Sequence, residues 1–249
     1  MAARPPRLPA QLLMRHDAAP RRLPLSHRRS FVRRHTRLRD VEGVPGIRLH
    51  LADDVETLWP ATERELGIDG APIPFWAFAW AGGLALAPWL LEHPDEVRGR
   101  RVLDLGTGSG LVAIAAAKVG AAHVVAADVD PFAEAAVGLN ARANGVHLAW
   151  EGRDLLEERA PPPQVDVVLC ADAWYEEPFA ERVTPWLRAC ADAGLRVLAG
   201  DPGRRYLPAT GLRELARRLV RTTTVLEDRD RLEARVLVVE PAPPDSIGR

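Results

Sequence analysis

Arg101-Val102-Leu103-Asp104-Leu105-Gly106-Thr107-Gly108-Ser109-Gly110 is the stretch that decides the fold. An apolar strand runs into an acid, and three glycines follow at alternate positions. The alanine-rich run from Leu111 to Val119 then reads as a helix. Glycine lacks a Cβ, so it accepts left-handed backbone and lets a ligand approach the main chain. Strand, glycine turn and helix N-terminus together make the nucleotide-binding corner of doubly wound α/β sheets. A dinucleotide fingerprint needs G-x-G-x-x-G, but here Leu111 stands where its last glycine belongs.

Outward from this corner, strands alternate with helices. Further strands are expected at Val124–Ala127, Leu148–Trp150, Val165–Cys170 and Leu195–Ala199. Helices are expected at Gly82–Leu91, Pro131–Asn144, Ala180–Ala191 and Gly211–Val220, with Pro131 in a helical first turn. Thr222–Leu226 and Arg235–Val239 read as two closing strands with no helix between them. The expected fold is α/β: a Rossmann-like, seven-stranded, mostly parallel sheet with a C-terminal antiparallel hairpin. Upstream, Phe31–Arg39 reads as a basic helix and Ile47–Leu51 as a half-buried strand. Asp104-x-Gly106-x-Gly108-x-Gly110 resembles motif I of the class I S-adenosylmethionine (AdoMet) methyltransferases, whose fold adds such a hairpin.

Ligands of these sheets bind outside the carboxyl ends of the strands. Gly106 and Gly108 are expected to receive the methionine portion of AdoMet, and Asp104 its ammonium. Asp128, which ends the second strand, is expected to accept hydrogen bonds from the ribose hydroxyls, and Asp130 to cap the next helix. Asp154 is assigned to the adenine amino group, with a surface loop acid as the competing reading. Trp80 is assigned as a cofactor contact rather than core. Past the fourth strand, Asp172, Trp174, Tyr175, Glu176 and Glu177 form an acid–aromatic cluster suited to an amine acceptor. Such an acceptor, near pKa ~10.4 when it is a lysine, must shed a proton before it attacks. Asp201 is left open between shaping the acceptor pocket and capping its turn.

Composition sets the bounds. The 249 residues and 47% hydrophobic content suit one α/β domain with an arm, or at most a domain plus a small subdomain. No run of roughly 20 apolar residues is available to span a membrane. Two cysteines, Cys170 and Cys190, can build neither a disulfide framework nor a zinc site, so a cytoplasmic protein with free thiols is expected. Residues 1–40 carry eleven arginines against Asp17 and Asp40, whereas the remainder carries 22 basic and 32 acidic residues. Residues 1–30 are therefore read as a disordered basic arm and 31–249 as the catalytic domain. An acidic folded part argues against nucleic acid as the partner.

The segments PFWAFAWAGG (74–83), RVLDLGTGSG (101–110), ADVDPFA (127–133), ADAWYEEPFA (171–180) and LAGDPGR (198–204) together resemble the electron transfer flavoprotein β-subunit lysine methyltransferases. The likeness runs over about residues 31–240. It implies AdoMet as cofactor, held by Trp80, Asp104, Gly106, Gly108 and Asp128. It implies Asp172, Tyr175 and Glu176 as the residues lining an acceptor lysine, most directly in the flavoprotein β-subunit. A monomer acting on a protein, without nucleic acid or membrane, is expected. A small-molecule N-methyltransferase acting on a nicotinamide-like amine and a ribosomal-protein methylase stay open. The chain departs from the family in having Trp174 where phenylalanine is common and Thr107-Gly108-Ser109 inside the turn.

Overall fold

The computed structural model describes residues 23–158, 160, 162–222 and 229–242. Its centre is a seven-stranded sheet built from β3 (Arg101–Leu105), β4 (His123–Ala127), β5 (Ala149–Glu151), β6 (Val167–Ala171), β7 (Arg196–Asp201), β8 (Leu212–Arg221) and β9 (Arg231–Val239). The order is β5-β4-β3-β6-β7-β9-β8. Strands β5 through β7 run parallel, and β9 inserts antiparallel between β7 and β8. The chain reverses direction of travel between β3 and β6, which opens the crevice at their carboxyl ends.

The strand residues sort by the two-residue period of the pleat. Val102, Val167, Leu169, Leu198, Val236 and Val238 face one core with α3 (Ala81–Glu92) and α4 (Leu111–Lys118). Leu103, Leu105, Val168, Cys170, Val197, Ala199, Leu237 and Val239 face a second core with α6 (Glu177–Asp192). Helix α6 presents Val183, Trp186, Leu187 and Cys190 at the i, i+3, i+4, i+7 positions that make one apolar stripe. Ten of the twelve residues of α3 are buried, because sheet and α4 enclose it. Both faces of the central strands are covered, which is why they read as continuous apolar runs.

A third cluster joins the N-terminal segment to this sheet. Helix α1 (Leu25–His35) buries Phe31 and Val32 against Trp76 and against Phe132 of α5 (Pro131–Ala143). β1 (Arg37–Asp40) and β2 (Arg48–Leu51) form a small antiparallel hairpin, and α2 (Val55–Leu66) follows, capped by Asp54.

Four expectations are corrected. The arm was placed at residues 1–30, but Leu25–Ser30 belong to α1. Leu23 and Leu25 pack on the third cluster, and Arg28 pairs with Glu134 at 2.8 Å. Residues 1–22 of the expected arm lie outside the described residues. The basic helix expected over Phe31–Arg39 stops at His35, since Arg37–Asp40 pair with β2. The helix expected over Gly211–Val220 is the strand β8. Its sequence is rich in helix formers, yet pairing with β9 along its whole length overrides that weak preference. A bulge between Glu214 and Ala216 restores alternation, so a helix-like spacing of leucines still fits a strand. The strand expected at Thr222–Leu226 is not seen at Thr222, and its residues from 223 on lie outside the described ones.

Candidate active site

The glycine turn sits at the carboxyl end of β3. Gly106, Gly108 and Gly110 have φ of 67°, 51° and 82°, a left-handed succession that L side chains resist. A Cβ on Gly106 would meet nothing within 4 Å, so the turn leaves open space beside its backbone. Over Gly108 runs the main chain of Phe75 and Trp76, with Phe75 O 3.7 Å from where a Cβ would stand. The N-terminus of α4 follows the turn, the helix end that favours an anionic group.

Acids organise this turn. Asp104 is buried, and its Oδ2 accepts from Thr107 Oγ1 at 2.6 Å and from Ala113 N at 3.1 Å. It ties the turn to the first residues of α4. Asp128 Oδ2 accepts from Gly108 N at 2.9 Å, and its Oδ1 from Asp130 N at 3.0 Å. Asp130 caps α5 through Phe132 N at 2.7 Å, the structural role expected of it. Asp154 caps a short turn through Leu156 N and pairs with Arg182 of α6 at 2.6 Å. That places its carboxylate in a cap and an ion pair.

A second group gathers at the ends of β6 and β7. Asp172 adopts φ 55°, rare for a residue other than glycine but tolerated by aspartate. Its N–H donates to Gly200 O at 2.8 Å. Its Oδ2 accepts from Gly83 N at 3.0 Å, and its Oδ1 from Arg204 Nη2 at 3.0 Å. Trp80 stands at the N-cap of α3 but offers no side-chain cap, so Asp172 caps that helix from across the sheet. Arg204 lies 6.0 Å from the Trp80 ring, and Asp201 Oδ1 fixes the turn beneath it through Gly203 N and Arg204 N. Asp201, left open by sequence, is therefore a turn cap; its Oδ2 is buried without a hydrogen bond among the described residues.

Aromatic contacts bridge the two groups. Phe75 lies 5.4 Å from Trp80 and 5.0 Å from Tyr175, and Tyr175 lies 6.0 Å from Phe179. Burial first, then the charges of Glu176 and Asp128, push the Tyr175 phenol up, so its hydroxyl stays protonated. Glu176 and Glu177 are exposed at the start of α6. Trp174 is buried and donates to Thr184 at 2.9 Å, which assigns it to packing. Cys170 is a buried thiol.

The structure thus brings Trp80, Asp104, Gly106, Gly108, Asp128, Asp172 and Tyr175 to one sheet edge, with Glu176 exposed beside them. Sequence reasoning missed Phe75, which touches both halves, and Arg204, which holds Asp172. Both lay inside quoted motifs, and only the third dimension gives them partners.

Burial raises Asp104, Asp130 and Asp201 to about 7, in Asp130 with help from the Asp128 charge. In the unfolded chain these groups release their protons near 3.8. Between those values the folded state holds more protons, so stability falls as pH rises from about 4 to about 7 and then levels off. Asp166, held at about 2 by Arg101, acts oppositely at lower pH, and His35 and His50, lowered chiefly by burial, act oppositely within the interval, so the three carboxyls set the net direction. Urea midpoints at about pH 5, 6 and 7 are expected to fall in that order; a rise across the interval would contradict this assignment.

The strand order with its reversed last strand, and an acid-tied glycine turn at the switch point, define the class I methyltransferase type of Rossmann-like domain. A putative RNA methyltransferase from Pyrococcus horikoshii shares this fold at a TM-score of 0.50 and 16% identity, over 64% of this chain and 83% of that one. The chain belongs to the electron transfer flavoprotein β-subunit lysine methyltransferase family. The Xenopus laevis member is 38% identical over 187 residues, covering 74% of both chains. The Rattus norvegicus member is 42% identical over 149 residues, 59% of this chain and 54% of the relative. The chain thus spans about half the length of that relative. A model of the ribosomal protein L11 methyltransferase (PrmA) family matches residues 89–171.

Proposed function

We propose that the protein transfers a methyl group from AdoMet to a lysine side chain of a protein, the electron transfer flavoprotein β-subunit being the first candidate. The observation that carries this reading is the joining of the glycine turn to the Asp172–Tyr175 cluster through Phe75 and Trp80. Relatives named for this reaction support the choice of substrate.

Gly106, Gly108 and the N-terminus of α4 would hold the amino-acid end of the cofactor, Asp128 the ribose, and Trp80 and Phe75 a wall of the pocket. Bound AdoMet supplies an electrophilic methyl on a sulfonium centre. The protein's task is to align the amine and exclude water. Glu176 beside Tyr175 is placed to attract the incoming lysine ammonium. The Arg204 guanidinium balances Asp172, so the interior does not hold an uncompensated carboxylate that would keep the amine charged. The protein is proposed to act as a monomer in the cytoplasm on a protein rather than a nucleic acid; its two buried free thiols suit a reducing compartment. Among the described residues, no helix is long and apolar enough to cross a membrane.

Incubation with tritiated AdoMet and host lysate is expected to label one protein band that co-migrates with the flavoprotein β-subunit. Label on a metabolite, or on a ribosomal protein, would overturn the substrate assignment while leaving the transferase reading intact.

A further inference from the structure

Asn140 in α5 and Asn144 at its C-cap lie one turn apart, and both reach the hairpin strand β2. Asn144 Oδ1 accepts from Arg48 N at 3.0 Å, and its Nδ2 donates to Arg48 O at 2.6 Å. Asn140 Oδ1 accepts from His50 N at 2.7 Å. The two side chains thus satisfy main-chain groups of β2. Asn140 does one thing more. Its Nδ2 donates to Ser109 O at 2.8 Å, inside the glycine turn, and the whole residue is excluded from solvent.

The turn is therefore gripped from two sides. Asp128 holds Gly108 N from the end of β4, and Asn140 holds Ser109 O from α5. Next to it, a Cβ on Gly110 would stand 3.2 Å from Val137, so α5 also packs on the turn sterically. Only a side chain with one acceptor and one donor on the same planar group serves both His50 N and Ser109 O. Aspartate keeps the acceptor and turns a second oxygen against the Ser109 carbonyl. Alanine strands two main-chain groups, the buried Ser109 carbonyl and the part-buried His50 amide.

We infer that Asn140 is a positioning residue for the cofactor turn, and that through it the N-terminal hairpin and the turn are one coupled unit. The inference rests on the AdoMet reading above. Binding at the turn and order at His50 should be linked in both directions.

The test measures S-adenosylhomocysteine affinity by calorimetry in wild type, Asn140→Asp, Asn140→Ala and Asn144→Ala. Both Asn140 variants are expected to bind about tenfold more weakly or worse. With AdoMet, their KM should rise while kcat stays close to wild type. Asn144→Ala, which loosens the same strand without touching the turn, should melt earlier yet bind within about twofold. A wild-type measurement stands beside these should a variant fail to fold: hydrogen exchange at the His50 amide should slow on ligand binding, together with that at Gly108 and Gly110. Wild-type affinity in folded Asn140→Asp, or His50 exchange indifferent to ligand, overturns the inference. Absence of binding to wild type overturns the cofactor reading and this inference with it.

Discussion

Gly200→Ala is expected to lower stability by about 3 kcal/mol or more and the melting temperature by ~10 °C. Helix α3 meets the end of β7 backbone to backbone. A Cβ on Gly200 would stand 2.1 Å from Gly82 O, and a Cβ on Gly82 would stand 2.2 Å from Gly200 O. Neither neighbour is the far end of a flexible side chain, so the helix itself must shift. Such a shift would pull Gly83 N from Asp172 and Trp80 from Arg204, and activity should fall along with stability. Gly83→Ala is the matched control. Its Cβ would find Leu111 Cδ2 at an ordinary 3.5 Å, and alanine is the better helix former. Thermal unfolding followed by circular dichroism decides the matter. If Gly200→Ala melts within ~2 °C of wild type, the close packing of α3 on β7 is wrong.

The second large effect concerns Asp128. Asp128→Ala removes the acceptor for Gly108 N and Asp130 N at once, leaving two donors unsatisfied at a largely buried position. It also removes the carboxylate proposed to receive the ribose. We expect S-adenosylhomocysteine affinity to fall about 100-fold. Asp130→Ala, next door, loses only the cap of α5. It should cost ~1 kcal/mol of stability and leave affinity within a few-fold. An Asp128→Ala protein that binds as wild type would move the ribose contact elsewhere.

Much of this was legible before any coordinates. The parallel strands announced themselves because both faces are buried, so apolar runs ending in Asp104, Asp128 and Asp172 mark strand ends directly. The cap at Asp130 was legible as well, since an acid before proline at a helix start is a cap. The strand β8 was not. Leu212, Leu215 and Leu219 carry a helical spacing, and the bulge that reconciles them with a sheet depends on β9, which comes later in the chain. Nor could Asn140 be read, because its two partners, His50 and Ser109, come from remote segments. Local chemistry shows in local sequence, whereas a side chain that bridges distant main chains looks like any polar helix residue.

The capping of α3 by Asp172 has a consequence for the order in which the molecule assembles. The acceptor lies 89 residues beyond the amide it serves. Its neighbours Gly200 and Arg204 come later still. A chain emerging from the ribosome can form β3, the glycine turn and β4 early, since those contacts are close in sequence. The Asp172 cap on the first turn of α3 must wait until β6 and β7 have docked. A nascent or truncated chain ending before Arg204 would thus carry an intact motif without a closed pocket. Closure of the proposed cofactor site is thereby expected only once nearly the whole domain has been made.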